Sequence, residues 1–312
     1  MDELDSIFKD DWGEDHRSGL VAVVGRPNVG KSTLINAVLG QKVAIATSKP
    51  QTTRQRQLGI HTTADAQILF IDTPGIHKPK SLLGDYMLRV AHDALRDADV
   101  VLWIVDASTP PRRADHRIGD AIGQFARRAA LVLCLNKCDL LDEPPEHDAW
   151  LALSDTPHVV STSATERRGI GDLLSFLTPL LPLGPRYYPA EQVSEANLRF
   201  IAAEIVREKV IESTSAEIPH AVAVEIVQFE ESQDISLIEA VIYVERQSQK
   251  GIVIGKRAGM IKRIGVAARA ELQQTLETKV HLETRVKVLK NWRSNEAFMR
   301  RVGYALPKRK SR

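Results

Sequence analysis

The sequence predicts two domains: an α/β domain with a mostly parallel sheet and helices on both faces, followed by a smaller α+β domain. Three observations predict this. The chain has 312 residues, about twice an ordinary domain. In its first half, short apolar runs alternate with helical patterns, as in a parallel sheet whose strands are buried on both faces. Beyond a stretch with four prolines, residues 177–195, that alternation stops and the order becomes helix, strand, strand, helix, strand.

Taken in order, LVAVVG (20–25) is an apolar run closed by glycine and reads as a buried strand, and STLINAVLG (32–40) as a helix ended by Gly40. AQILFID (66–72), DVVLWIVDAS (99–108), AALVLCLNK (129–137) and HVVSTSA (158–164) are further buried strands. LLGDYMLRVAHDALRDA (82–98) has the helical period. In the second part, ANLRFIAAEIVREKVIEST (196–214) is a helix, and HAVAVEIVQFEE (220–231) and SLIEAVIYVER (236–246) are strands. GIVIGKRAGMIK (251–262) reads as a loop opening the helix MIKRIGVAARAELQQTLET (260–278). KVHLETRVKVLKNW (279–292) is a strand, with a short helix after it. The expected boundaries are an acidic disordered tail at 1–17, a first domain at 18–182, a linker at 183–195, a second domain at 196–304 and a basic tail at 305–312.

The net charge of +2 conceals an asymmetry. Residues 1–245 hold 24 Lys/Arg against 36 Asp/Glu, whereas residues 246–312 hold 18 against 4. Such a division points to a polyanion partner for the basic part, unless that part is only a solvated basic surface. No apolar run approaches the roughly 18 residues of a membrane span. The acidic start lacks the apolar core of a signal peptide, so a cytoplasmic location is expected. Cys134 and Cys138 are too few for a disulfide framework or a zinc site and read as buried thiols in a reducing compartment.

GRPNVGKS fits G-x-x-x-x-G-K-[ST] through Gly25, Gly30, Lys31 and Ser32, after a strand and before a helix. The glycines let backbone N–H groups close round phosphates, Lys31 supplies a cation between the β- and γ-phosphates, and Ser32 ligates Mg²⁺. NKCD follows a buried strand. Its Asp139 can accept two hydrogen bonds from guanine, which adenine cannot donate, and Lys137 can lie along the base plane. The simpler reading of Asp139 is a helix N-cap. Thr162, Ser163 and Ala164 of TSA can complete the base pocket with backbone N–H groups. DTPG also ends a strand: Asp72 holds Mg²⁺ through water and the Gly75 N–H meets the γ-phosphate. The threonines of PQTTR (50–54) reach the metal only when that loop closes over the phosphates, which makes loss of the γ-phosphate an order–disorder switch.

GRPNVGKS, TT, DTPG and NKCD, in that order, resemble the translation-factor-related GTPases. GRPNVGKSTLINAVLG, PQTTRQRQLGI and DTPGIHKPK, with PHAVAVEI, GIVIGKRAGMIKRIG and VHLETRVKVLKNW, are similar to the bacterial Era family over nearly the whole chain. The resemblance implies a Ras-like P-loop GTPase domain followed by a type II KH domain, whose order of elements the second part matches. It implies a GTP site of Gly25, Arg26, Pro27, Asn28, Val29, Gly30, Lys31, Ser32, Thr33, Asp72, Thr73, Pro74, Gly75, Asn136, Lys137, Asp139, Ser163 and Ala164, with Lys31, Asn28, Thr53 and Gly75 acting in catalysis. Mg²⁺ takes Ser32 and Thr53, with Asp72 through water; Thr52 ranks below Thr53. Ile76 stands where Ras-like enzymes usually place a water-orienting Gln and cannot hydrogen-bond a water. The resemblance offers a potassium ion instead, held by Asn28, Thr47, the Lys49 carbonyl and Thr52; otherwise Asn28 is a turn residue after Pro27.

In KH domains a G-x-x-G loop joins two helical elements and clamps backbone nucleotides. Here the tetrad is Gly255-Lys256-Arg257-Ala258, followed by Gly259, and Ala in the fourth place departs from the pattern. Either the backbone there is helical or the loop is shifted by one residue. With Lys250, Lys262 and Arg263 these residues form the expected RNA grip; the plainer reading is a helix start with a glycine turn. Ile252, Ile254, Ile261 and Ile264 form either an apolar groove for bases or part of the core. The resemblance implies the 3′ end of 16S ribosomal RNA as ligand, a role in small-subunit assembly, a monomer, and peripheral contact with the inner membrane. The competing readings are a GTPase whose basic domain binds a protein or an anionic membrane surface, and a KH module with a degenerate nucleotide site.

Overall fold

The computed structural model describes residues 12–45, 47, 52–76, 79, 81–145, 147–154, 156–215, 217–232 and 234–304. Its contacts divide into two compact units. The first holds a six-stranded sheet in the order β2-β3-β1-β4-β5-β6. The strands are β1 (Arg17–Val24), β2 (Gln57–Thr62), β3 (Ala66–Asp72), β4 (Val100–Asp106), β5 (Ala130–Asn136) and β6 (Val159–Ser161). Every pairing is parallel except β2 with β3. The antiparallel edge strand β2 has no counterpart in the sequence reading; its QLGIHT is short and interrupted by Gly59.

The central strands are apolar throughout because both of their faces are covered. On one face, α1 (Lys31–Leu39) and α5 (Ile170–Leu177) bury Leu34, Ile35, Leu173 and Leu177 against Val21, Val23, Leu102 and Ile104. On the other, α2 (Leu82–Asp97) and α3 (Arg113–Phe125) bury Ala91, Leu95, Ile118 and Ile122 against Val101, Trp103 and Leu133. A single turn, α4 (Asp148–Leu151), adds Trp150 to that layer. The parallel arrangement places the ends of β1, β3, β4, β5 and β6 along one edge of the sheet, where ligands of such folds bind.

Parts of the expected tail and the expected linker are ordered. The expected tail includes residues that are already folded: His16 closes a turn on Gly13 and β1 begins at Arg17. The expected linker is bonded along its length, with the Ser18 N–H donating to Pro182, Gly184 to His16 and Ile60 to Val193, while the Gln67 side chain holds the backbone of Tyr187 and Tyr188. Four prolines mark where the helical pattern stops, but the segment's backbone groups still find partners on the sheet. Residues 1–11 and 305–312, and with them the remainder of both expected tails, lie outside the described residues.

The second unit is built on a mixed three-stranded sheet, β7 (Ala223–Glu231), β8 (Ile235–Val244) and β9 (Lys279–Val288), with β7/β8 antiparallel and β8/β9 parallel. Helices α6 (Leu198–Ser213) and α9 (Gly259–Leu276) close one face around Val206, Val210, Ile242, Ile264 and Leu272. The short α7 (Ile218–Ala221) enters β7, and its last carbonyl accepts the indole N–H of buried Trp292 at 2.7 Å. The β8-to-β9 crossover contains two helices, α8 (Gln247–Ile254) and α9, with α10 (Glu296–Arg301) ending the unit. Residues 251–254, expected to be loop, are therefore helical. Among the described residues, no helix is long and apolar enough to cross a membrane.

Candidate functional site

The loop after β1 can be made only with glycine at two places. Gly25 has φ +155 and a Cβ there would lie 2.3 Å from the Ile104 carbonyl oxygen; Gly30 has φ +102 and its Cβ would lie 2.2 Å from Asn136 Nδ2. Between them Asn28 is left-handed, with φ 66, a conformation that Asn tolerates better than most residues. The Arg26 side chain turns away from the cradle: its Nε donates to buried Asp115 at 2.8 Å and its Nη2 to Thr109. Of the arginine, the backbone faces the cradle.

Lys31 opens α1 and is buried; its Nζ donates to the Gly25 and Arg26 carbonyls at 3.1 and 3.0 Å. Burial lowers its pKa to about 8, against the opposing pull of the Asp72 charge. Ser32 Oγ donates to Asp72 Oδ2 at 2.7 Å, Thr53 Oγ1 donates to the same oxygen at 2.9 Å, and the two hydroxyls are 3.1 Å apart. The other carboxylate oxygen, Asp72 Oδ1, is buried without a hydrogen-bond partner among the described residues. Burial raises the Asp72 pKa, opposed by Lys31, Ser32, Thr53 and the Thr73 backbone. Two hydroxyls and a carboxylate meeting at one buried point, with an oxygen to spare, form a set of hard oxygen donors that fits Mg²⁺.

Around this point, Thr73 spends its hydroxyl on the Val23 carbonyl, Thr33 is half-buried in α1, and Pro74 is buried. Gly75 lies against the Pro27 ring, which a Cβ would approach to 3.1 Å. Ile76 is buried in the apolar layer with Val24 and Trp103. Thr47 and Thr52 bring their hydroxyls to 3.0 Å of each other, while Lys49 lies outside the described residues.

On the base side, buried Asn136 does work that the sequence reading missed. Its Nδ2 donates to the Val29 carbonyl at 2.8 Å, and its Oδ1 accepts from Thr162 Oγ1 and the Ala164 N–H, both at 3.0 Å. It thereby fastens the phosphate loop to the loop after β6. The backbone donors there have partners within the fold: the Thr162 N–H donates to Leu135, the Ser163 N–H to Arg168 and the Ala164 N–H to Asn136. β6 also ends at Ser161, before the expected TSA strand residues. Asp139, in a single 3₁₀ turn (Cys138–Leu140), caps no helix and accepts no hydrogen bond among the described residues, which leaves its carboxylate available. Lys137 is left-handed at φ 68, its Nζ 2.7 Å from Asp106 Oδ2.

In the second unit, α8 ends at Gly255, whose φ is +72 and whose Cβ would lie 2.6 Å from Met260 Cβ. Lys256 and Arg257 follow, both exposed. Ala258 has φ 58 and ψ 22, and Gly259, at φ −67, begins α9. The fourth position of the tetrad is thus neither helical nor displaced: Ala258 and Arg257 (φ 50) both take the left-handed conformation. Lys250 is half-buried on α8, and Lys262 and Arg263 are exposed near the start of α9. Of the four isoleucines, Ile264 is core, Ile254 and Ile261 pack partly against it, and Ile252 is exposed.

A family model described as a 50S ribosome-binding GTPase matches residues 20–137, and one described as a KH domain matches residues 217–293. Two solved structures are similar over nearly the full length. A crystal structure of a variant of Aquifex aeolicus Era bound to GDP·AlF4⁻ is 37% identical, covers 93% of this chain and 100% of that one, and has a TM-score of 0.86. A crystal structure of Era in complex with MgGDPNP and nucleotides 1506–1542 of 16S ribosomal RNA is 36% identical, with the same coverage and TM-score.

Proposed function

The chain belongs to the Era family of GTPases, and on that premise we propose that it is a GTP-hydrolysing switch whose KH domain holds the 3′ end of 16S ribosomal RNA during assembly of the small ribosomal subunit. The observation that carries the reading is the meeting of Ser32, Thr53 and Asp72 beside the glycine-built loop. GTP exchanges the carbonyl partners of Lys31 for phosphate oxygens, and the N–H groups of residues 28–33 close on the α- and β-phosphates. Ser32, Thr53 and, through water, Asp72 would hold Mg²⁺, which would supply positive charge against the phosphates. Gly75 donates its N–H to the γ-phosphate. Loss of that phosphate releases Thr53 and Gly75 together, and the segments that carry them relax. Asp139 pairs with guanine, and Lys137 lies against the base.

Ile76 is committed to the core and orients no water. Unaided hydrolysis is therefore slow; Asn28, Thr47 and Thr52 are the residues that would hold a potassium ion, which would supply the missing positive charge. Equal turnover in sodium and potassium buffers would sink that part of the reading. For the RNA, Gly255 to Ala258 clamp the backbone while Lys250, Lys256, Arg257, Lys262 and Arg263 neutralise phosphates. The protein acts as a monomer in the cytoplasm and touches the inner membrane only peripherally. The test is binding of a labelled RNA with the 16S 3′ sequence, with a GTP analogue and with GDP, against scrambled RNA and anionic vesicles as competitors. Sequence-selective binding that is stronger with the analogue supports the proposal. Displacement by vesicles and scrambled RNA alike would replace the RNA partner with an anionic surface.

A further inference from the structure

Asp106 ends β4 directly across the sheet register from Asn136 at the end of β5. Each of its carboxylate oxygens is used. Oδ1 accepts from the Ser108 N–H at 3.1 Å and the Ser108 hydroxyl at 2.6 Å, which fixes the carboxylate in a local turn. Oδ2 takes the Lys137 ammonium at 2.7 Å, with the two side chains only 15% and 29% exposed. Burial pushes this carboxyl up, but the hydrogen bonds from Lys137 and Ser108 and the lysine's charge outweigh it, so its pKa falls below the ordinary aspartate value. The backbone supports the same geometry: the Ala107 N–H donates to the Asn136 carbonyl at 2.9 Å, and Lys137 holds the uncommon left-handed conformation. The turn also receives Arg26 of the phosphate loop through Thr109.

We propose that Asp106 is the positioning residue for guanine binding, holding the Lys137 side chain extended so that its aliphatic stem forms a preset face for the base. This rests on the guanine reading of Asp139. A free lysine side chain has many rotamers to lose when a ligand orders it, and anchoring its ammonium removes most of that loss before the nucleotide arrives. The effect is on nucleotide residence and not on the reacting phosphate, because Asp106 reaches the site only through Lys137.

The experiment is GDP release and steady-state GTP turnover by the full chain carrying Asp106→Asn, Asp106→Ala, Lys137→Ala and the double change Asp106→Ala/Lys137→Ala. Asp106→Asn retains an oxygen for the Ser108 turn but loses the charge that holds Lys137. The expected result is roughly five- to tenfold faster GDP release for Asp106→Asn and Asp106→Ala alike, a raised KM with kcat unchanged, and a double variant no worse than Lys137→Ala. A wild-type rate for Asp106→Asn would assign the residue to the turn alone. Additive effects in the double variant, or slower release from Asp106→Ala, would also overturn the proposal, the latter by showing that the ion pair competes with the nucleotide. Selection of GDP over ADP by the unaltered chain tests the guanine reading separately.

Discussion

The phosphate loop of residues 25–32 and the basic loop of residues 255–258 both offer backbone N–H groups and cations to an anion, but they are built in opposite ways. In the first, a Cβ at Gly25 or Gly30 would lie within 2.3 Å of a neighbouring atom, and the cation, Lys31, is buried. In the second, Gly255 alone is crowded, an alanine occupies the fourth position, and both cations are exposed. A buried cradle needs each residue at its place and can perturb its own titrating group. An exposed clamp tolerates exchange and relies on long-range charge, which salt screens. The difference fits the proposed ligands: one small nucleotide anion enclosed by protein, and one long polyanion gripped from outside.

The sharpest way to break the comparison is Gly30→Ala. It forces a side chain into φ +102 and against the amide of Asn136, which ties the phosphate loop to the loop after β6. Backbone strain of about 1–3 kcal/mol, added to loss of the Asn136 bonds, predicts a fall in GDP affinity of about 100-fold, read by titration. Gly259→Ala provides the contrast in the second loop. Its φ is helical and a Cβ there meets nothing within 4 Å, so RNA affinity should stay within about twofold.

Next in size is the charge of the second loop. Replacing Lys256 and Arg257 together by alanine should weaken RNA binding at 0.1 M salt by about 10- to 30-fold. It should also reduce the slope of log affinity against log salt by about 1.4, because single-stranded RNA contributes roughly 0.7 per neutralised phosphate. A tenfold loss with an unchanged slope would mean that the two residues shape the loop instead of neutralising it.

A third effect belongs to the first loop alone. The Lys31 pKa of about 8 lies below the ordinary 10.5 because of burial, and a bound phosphate favours the charged form. Below pH 8 the ammonium is already present and nucleotide binding takes up no proton. Above pH 8 binding must first protonate the amine, so affinity falls with rising pH by at most about tenfold per unit. For the nucleotide-free protein the sign is reversed: between pH 8 and 10.5 the unfolded chain holds more protons, so folding stability rises with pH across that window. Calorimetry of GDP binding at pH 8.5 in buffers of different ionisation enthalpy should show proton uptake, and Lys31→Gln should abolish it.

The sequence made the first loop more legible than the second for the same physical reason. Residues that a buried site requires are written in fixed spacing, so Gly25, Gly30, Lys31, Ser32, Asp72 and Asp139 could be read with roles attached. What could not be read was which groups satisfy one another. Asn136 was expected in the nucleotide site, but the sequence did not show that its side chain also braces two loops, nor that the N–H groups of Ser163 and Ala164 have partners within the fold. Such pairings join positions far apart in sequence and leave no local periodicity. The edge strand β2 escaped for a related reason, since six residues with a glycine inside give too short a pattern. In the second unit the last residues of α8, 251–254, were read as loop because the glycines and cations of GIVIGKRAGMIK look like loop composition, whereas the helix buries Val253 and Gln249.

The smallest predicted effect discriminates most finely between the two loops. Ala258 is left-handed at φ 58, which costs an L-residue with a Cβ about 1–2 kcal/mol relative to the right-handed region, a cost that glycine avoids. Ala258→Gly gives back part of this gain through the greater freedom of glycine in the unfolded chain, so a net stabilisation of about 0.5–1 kcal/mol is expected. Thermal unfolding of the full chain should show it as an upward shift of a few degrees in the transition of the second unit, with RNA affinity equal or slightly higher. No shift would mean that the alanine relaxes out of the left-handed region in solution, placing the clamp in a second conformation that RNA must reverse, and affinity would then rise more than stability does. A rise in stability with weakened RNA binding would mean that the strained alanine itself holds the clamp open, and the tolerance attributed to the exposed loop would be a functional tension instead.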